Sequence, residues 1–116
     1  MDLGRRVELD WLFDFYGALL TPRRQEIVRL RCEEDMTLAE LGEAMGISRQ
    51  AAADALAHAE GALRGYEEKL GLLAKWREAL RAASECEEAL DRLEKGDEKA
   101  LSDARRALGV LLETKG

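Results

Sequence analysis

Residues 37–63 read TLAELGEAMGISRQAAADALAHAEGAL, and the spacing within them decides the fold. Thr37 followed by Glu40 is a capping box, in which each side chain satisfies a free backbone N–H of the other residue. Leu38, Leu41 and Met45 then recur at helical spacing. Gly46 stands where the chain leaves this helix with positive φ, which glycine adopts without a Cβ clash. Ile47 plugs the corner and Ser48 caps the next helix. Ala52, Leu56, Ala59 and Leu63 line the inner face of that second helix. Two caps, a glycine turn and apolar residues on both sides of it specify a helix-turn-helix.

Upstream, a first helix is expected from near Leu3 to Leu20. Val7, Trp11, Phe15 and Leu19 fall on one stripe, Leu12, Tyr16 and Leu20 widen it, and Phe13 lies off it. A helix apolar around so much of its circumference needs more than one partner surface. Core burial comes first, and Trp11 and Phe15 are also candidate oligomer or partner contacts, since aromatic anchors concentrate in interfaces. Thr21-Pro22 opens a second helix, with threonine as cap and proline at the first helical position. Ile27 and Leu30 face inward, with Val28 and Cys32 beside them. Arg23, Arg24 and Arg31 are expected to be exposed. Glu33-Glu34-Asp35 opposes the helix dipole and ends the helix.

Downstream, Leu73, Trp76, Leu80, Ala83 and Leu90 make a three-four stripe interrupted by Glu87. Lys95-Gly96-Asp97 is a punctuation point, with glycine ending one helix and aspartate capping the next. Leu101, Ala104, Leu108, Leu111 and Leu112 share one side of a last helix, and residues 114–116 are expected to fray. The reading is all-α: a helix-turn-helix domain with its N-terminal aromatic helix in residues 1–65, and a C-terminal helical hairpin in residues 66–116. The hairpin docks on that domain or on a second subunit. Leu73, Trp76 and Leu108 are its candidate contacts. A homodimer is expected, through the first helix or the hairpin, because both carry more apolar face than one small domain buries.

With 18 basic and 24 acidic residues the net charge is −6, whereas a dedicated nucleic-acid binder shows a basic footprint. The motif itself is acidic: Glu40, Glu43, Asp54 and Glu60 face only Arg49 and Arg64. The best basic cluster is Arg23, Arg24, Arg29 and Arg31, accompanied by Glu26, Glu33, Glu34 and Asp35. If nucleic acid is touched, Arg49 and Gln50 at the start of the second motif helix and Arg23 and Arg24 on phosphates are the candidates, with His58 on the outer side of the same helix.

No histidine–cysteine set has metal-ligand spacing, so no metal is expected. Glu67-Glu68 and Glu87-Glu88 follow surface periodicity, and Ser48 and Ser84 have no histidine placed to activate them. With no phosphate-binding glycine loop either, neither a catalytic residue nor a cofactor is expected, and the chain does not read as an enzyme. No apolar run approaches the roughly 20 residues of a membrane span, and the N-terminus lacks a secretory cleavage pattern. Cys32 and Cys86 stand apart, as reduced, buried thiols of a cytoplasmic protein.

Leu12-Phe13-Asp14-Phe15-Tyr16, then Leu19-Leu20-Thr21-Pro22 and Gln25, resembles the opening of the YlxM family of small bacterial proteins. Ile47-Ser48-Arg49-Gln50-Ala51, Tyr66-Glu67 and Lys69-Leu70 extend the likeness over roughly the first two-thirds of the chain. The helix-turn-helix also resembles the promoter-reading region 4 of sigma factors. The YlxM resemblance implies an all-helical cytosolic protein with a sigma-region-4-like fold. It further implies an accessory or regulatory factor of the signal recognition particle pathway, touching the particle's RNA or its GTPase. This chain departs from the family pattern at Ala52, usually a larger aliphatic, and at Ala53, Ala57 and His58, where aromatic or basic side chains are usual. Two other functions fit the residues. One is a DNA-binding regulator, in which Arg49, Gln50, Ala53, Asp54 and Ala57 face the major groove. The other is a protein-interaction module with the helix-turn-helix as scaffold.

Overall fold

A computed structural model describes residues 3–113; the expected fraying of residues 114–116 lies outside them. It contains α1 (Leu3–Tyr16), a 3-10 turn (Gly17–Leu19), α2 (Pro22–Cys32), α3 (Leu38–Met45), α4 (Arg49–Leu70), α5 (Leu72–Glu94) and α6 (Ala100–Glu113), with no strand among the described residues. The chain divides into two compact units, Met1–Gly71 and Leu72–Gly116. The expected boundary at residue 65 falls inside α4. Gly65 stays helical, and the helix ends instead at Gly71, whose φ of 64° and N–H bond back to Glu67 at 2.8 Å make a left-handed cap.

The first unit is built as its caps dictate. Thr37 Oγ1 accepts from the Glu40 N–H at 3.1 Å, and the Thr37 N–H donates to Glu40 Oε1 at 3.2 Å. Gly46 turns out of α3 with φ 69°. Ser48 Oγ accepts from the Ala51 N–H at 3.0 Å. Ala52, Leu56, Ala59 and Leu63 of α4 are buried together with Leu41 of α3 and Ile27, Val28 and Leu30 of α2. The first helix is shorter than expected, because its last turn tightens at Gly17. A Cβ there would lie 2.7 Å from Cδ1 of the Phe13 ring. Its buried face is Leu9, Leu12 and Tyr16, continued by Leu20 after the turn, while Val7 and Leu19 are exposed. The expected stripe was thus rotated by about one residue. Tyr16 explains the rotation: its ring is buried, 6.1 Å from that of Tyr66, and its hydroxyl donates to Glu67 Oε1 at 2.6 Å.

Charge pairs also fasten α1. Glu60, buried in α4, accepts from Arg5 at 2.9 Å and lies 3.6 Å from Arg64, which in turn pairs with Glu8 at 2.6 Å. Arg6 pairs with Asp35, the one non-glycine residue with positive φ among the described residues (55°). Cys32 at the end of α2 is half-buried and meets Asp10; burial first, then that carboxylate, push its thiol up to about 12. A thiol held protonated is a poor nucleophile. Iodoacetamide at pH 8 is therefore expected to modify Cys32 about a thousandfold more slowly in the folded chain than in the urea-unfolded chain. Peptide mapping after timed alkylation reads this, and equal rates would refute it.

The second unit is a helical hairpin. Its interior is small: Ala89, Ala100 and Ala104 form the cluster, with Cys86 and Leu93 against it, and Ala82 and Ala107 are buried as well. Arg92 closes the loop end with bonds to Asp103 at 3.0 Å and Asp97 at 3.5 Å. The leucines of the two stripes lie outside this interior. Leu80, Leu90, Leu101, Leu108 and Leu112 are exposed, Leu112 at 70%. The alanines sit at the three-four spacing that the partner helix needs for close approach, so they take the seam and turn the leucines outward.

Candidate nucleic-acid interface

The chemistry of the first unit's surface follows from which arginines are already occupied. Arg29 grips Glu26 through two bonds, Nε at 3.1 Å and Nη2 at 2.8 Å, and lies near Glu33 and Glu34. The Glu26 bond raises the Arg29 pKa, and Arg29 in turn holds the Glu26 carboxyl below the usual range. Arg31, expected to be exposed, is half-buried and donates to the Met36 carbonyl at 2.5 Å, bracing the loop before α3. The four-arginine cluster of the sequence therefore does not exist as a surface. Arg23 and Arg24 remain, exposed on the first turn of α2 and drawn into no ion pair among the described residues.

These two converge with His58. Arg23, Arg24, Ile27, Ala55 and His58 line one hollow of about 140 Å³ between α2 and α4. Thr21 and Pro22 place the arginines by starting α2 there, and the Ser48 cap sets the phase of α4 that turns His58 toward them. Arg49 and Gln50 are exposed at the N-terminus of α4, where backbone N–H groups and the helix dipole favour an anion. Gln50, however, donates to Asp54 Oδ1 at 3.1 Å, one turn along. The outward face of α4 continues with Ala57 and Gly61, which offer no polar group to a base edge. The surface can hold phosphate beside α4 better than it can read bases along it.

Glu60, counted among the motif's acids, is buried at 7% exposure and matched by Arg5 and Arg64, so it adds little repulsion outside. Glu40 is spent on the cap of α3. The interface is less acidic than the residue count suggests. Of the candidate contact residues, Trp11 and Phe15 are half-buried, Trp76 and Leu108 are exposed at 42% and 46%, and Leu73 is buried at 2% and offers no outward contact. The Glu26–Arg29 pairing was missed in the sequence although its i,i+3 spacing was a signal for it. Among the described residues there is no group of His, Cys, Asp and Glu able to hold a metal ion, and no helix is long and apolar enough to cross a membrane.

The paired caps, the left-handed Gly46 and the exposed start of α4 place the chain among helix-turn-helix proteins. Residues 3–103 match the model of one family in that class, UPF0122, described as "Putative helix-turn-helix protein, YlxM / p13 like". The chain belongs to that family. A UPF0122 protein of Symbiobacterium thermophilum is 48% identical to it over 86% of this chain and 88% of its own. One of Desulforamulus reducens is 37% identical, covering 91% and 92%, and one of Halalkalibacterium halodurans is 35% identical over 97% of each.

Proposed function

We propose that this protein is a non-catalytic helix-turn-helix factor that grips RNA by its sugar–phosphate backbone, as an accessory or regulatory factor of the signal recognition particle pathway. The observation that carries the RNA contact is the meeting of Arg23, Arg24 and His58 at one hollow between α2 and α4. The pathway comes from the YlxM resemblance, with the particle's RNA as ligand, its GTPase as protein partner and the cytoplasm as the place of action. A DNA-reading regulator is disfavoured, because Gln50 is tied to Asp54 and the residues beyond it are methyls and glycine. RNA recognition that relies on shape and backbone does not need those positions.

Fluorescence anisotropy tests the reading with labelled particle RNA, an unrelated hairpin RNA and random duplex DNA, titrated between 50 and 200 mM salt. Tightest binding to the particle RNA, with affinity falling steeply as salt rises, is expected. Equal or tighter binding to duplex DNA, or none to any RNA at low salt, would overturn it. Asp54 gives a second expectation. Asp54→Asn removes a negative charge and loosens the hold on Gln50, so affinity for any nucleic acid should rise about threefold to tenfold. The same titration measures it, and an unchanged or weaker complex would place α4's outer face away from the ligand.

A further inference from the structure

The hollow shared by α2 and α4 has a chemistry that phosphate alone does not use. Its floor is apolar: Ile27 of α2, 1% exposed, and Ala55 of α4. Arg23, Arg24 and His58 complete the lining, all three exposed, and no carboxylate stands among the described residues that line it. An anion seated on that floor would give up water and find no donor there. Charge is met at the mouth, by the exposed arginines, and the floor suits a flat, uncharged group. The volume is about 140 Å³, close to that of a cavity of about 150 Å³ that takes up a benzene ring. One six-membered ring therefore fits. Imidazole and guanidinium planes are also surfaces on which unstacked RNA bases lie.

We propose, resting on the RNA reading above, that this hollow takes the base of one unpaired pyrimidine nucleotide while Arg23 and Arg24 hold the phosphates beside it. The bound element is then a bulge or loop and not a continuous helix. A paired base lies inside the stack and has to be pulled out before it can enter, whereas a bulged one is already free. His58 supplies a plane for the ring, and Ile27 with Ala55 shields it from water. Ala55 keeps the hollow open, since a larger side chain at that position would fill it. The base is selected by being unpaired and by ring size. That agrees with the rest of α4, where Gln50 is bonded to Asp54 and Ala57 and Gly61 offer nothing to a base edge.

Fluorescence anisotropy of the full chain at 100 mM salt tests this with three labelled, blunt-ended RNA duplexes of one sequence: fully paired, with a single bulged uridine, and with a bulged adenosine in its place. The uridine bulge should bind about tenfold more tightly than the paired duplex. The adenosine bulge should bind at least about threefold more weakly than the uridine one, because its second ring does not fit; equal binding would overturn the choice of a pyrimidine. Ala55→Leu fills the hollow and should lower the affinity for the uridine bulge to that for the paired duplex, whose own affinity stays within about twofold. His58→Ala should cost the bulged RNA about fivefold, and His58→Phe should not, because phenylalanine keeps the plane without the charge. His58 is exposed, so this pair keeps the test sound if Ala55→Leu does not fold. Equal, salt-sensitive binding of paired and bulged RNA by the wild type would overturn the base site while the grip on the backbone stands. A His58→Phe variant as weak as His58→Ala would do the same. No binding to any of the three would remove the RNA reading itself.

Discussion

Gly42→Ala should destabilise the first unit by about 2 kcal/mol and lower its melting temperature by on the order of 10 °C. Gly42 lies inside α3, where alanine would ordinarily be worth up to about 1 kcal/mol more than glycine. The sign reverses because the turn folds back over it. A Cβ on Gly42 would lie 2.8 Å from the Ile47 carbonyl oxygen, 3.1 Å from the Ser48 carbonyl carbon and 3.2 Å from the Arg49 nitrogen. All three are backbone atoms, and they carry the helix-turn-helix corner. The Gly42 carbonyl also accepts the Ile47 N–H at 2.8 Å, so the corner cannot retreat without breaking that bond. Gly61 supplies the control. It is exposed in the middle of α4, and a Cβ there would meet nothing within 4 Å, so Gly61→Ala should stabilise by about 0.5–1 kcal/mol. Thermal and urea melts of the two variants decide it. Gly42→Ala melting at or above the wild type would mean that α3 and the turn do not approach as closely as described.

Gly42 marks one limit of what was legible. Gly46 was readable because a glycine just after a three-four apolar run is a stop signal, and its left-handed φ follows. Gly42 reads as a helix weakened by glycine; only the path of residues 47–49 in space shows why nothing larger fits. The caps at Thr21, Thr37 and Ser48 and the inner face of α4 were legible because they are local: a side chain satisfies a backbone group three residues away. The break between units was not, since Gly65 and Gly71 look alike on paper and only one takes positive φ.

The seam of the hairpin was hidden for a different reason. Periodicity identifies which residues share a face, not which face is inside. Alpha5 carries two three-four series, one of leucine and tryptophan and one of alanine with Cys86 and Leu93, and hydrophobicity alone favours the first. Close helix approach favours the second. The candidate interface shows the same limit. Arg23, Arg24, Arg29 and Arg31 are equivalent as a composition, yet pairing removes Arg29 and the Met36 carbonyl removes Arg31. Arg24 and His58, 34 positions apart in the chain, meet only because α2 packs on α4.

That sorting of arginines yields the largest effect on function. Arg23→Glu with Arg24→Glu should weaken RNA binding about a hundredfold at 100 mM salt and reduce the slope of log affinity against log salt by about 1.5–2. Both side chains are exposed on the first turn of α2, where the Thr21 cap and Pro22 hold the backbone without help from either. Surface changes of this kind leave stability within about 0.5 kcal/mol, so the loss is one of affinity and not of fold. The discriminating comparison is Arg29→Ala. A count of basic residues ranks it with the other two. The structure gives its guanidinium to Glu26, with Glu33 and Glu34 nearby, and removing it should change affinity by less than about threefold and leave the salt slope unchanged. Glu26 sits between the two classes, since its partner is lost in the Arg29 variant and its own charge then faces the ligand; Arg29→Ala with Glu26→Ala should therefore bind as well as the wild type. If Arg29→Ala alone costs as much as the paired reversal at 23 and 24, the ligand lies along the whole of α2, and the hollow shared with His58 is not where phosphate sits.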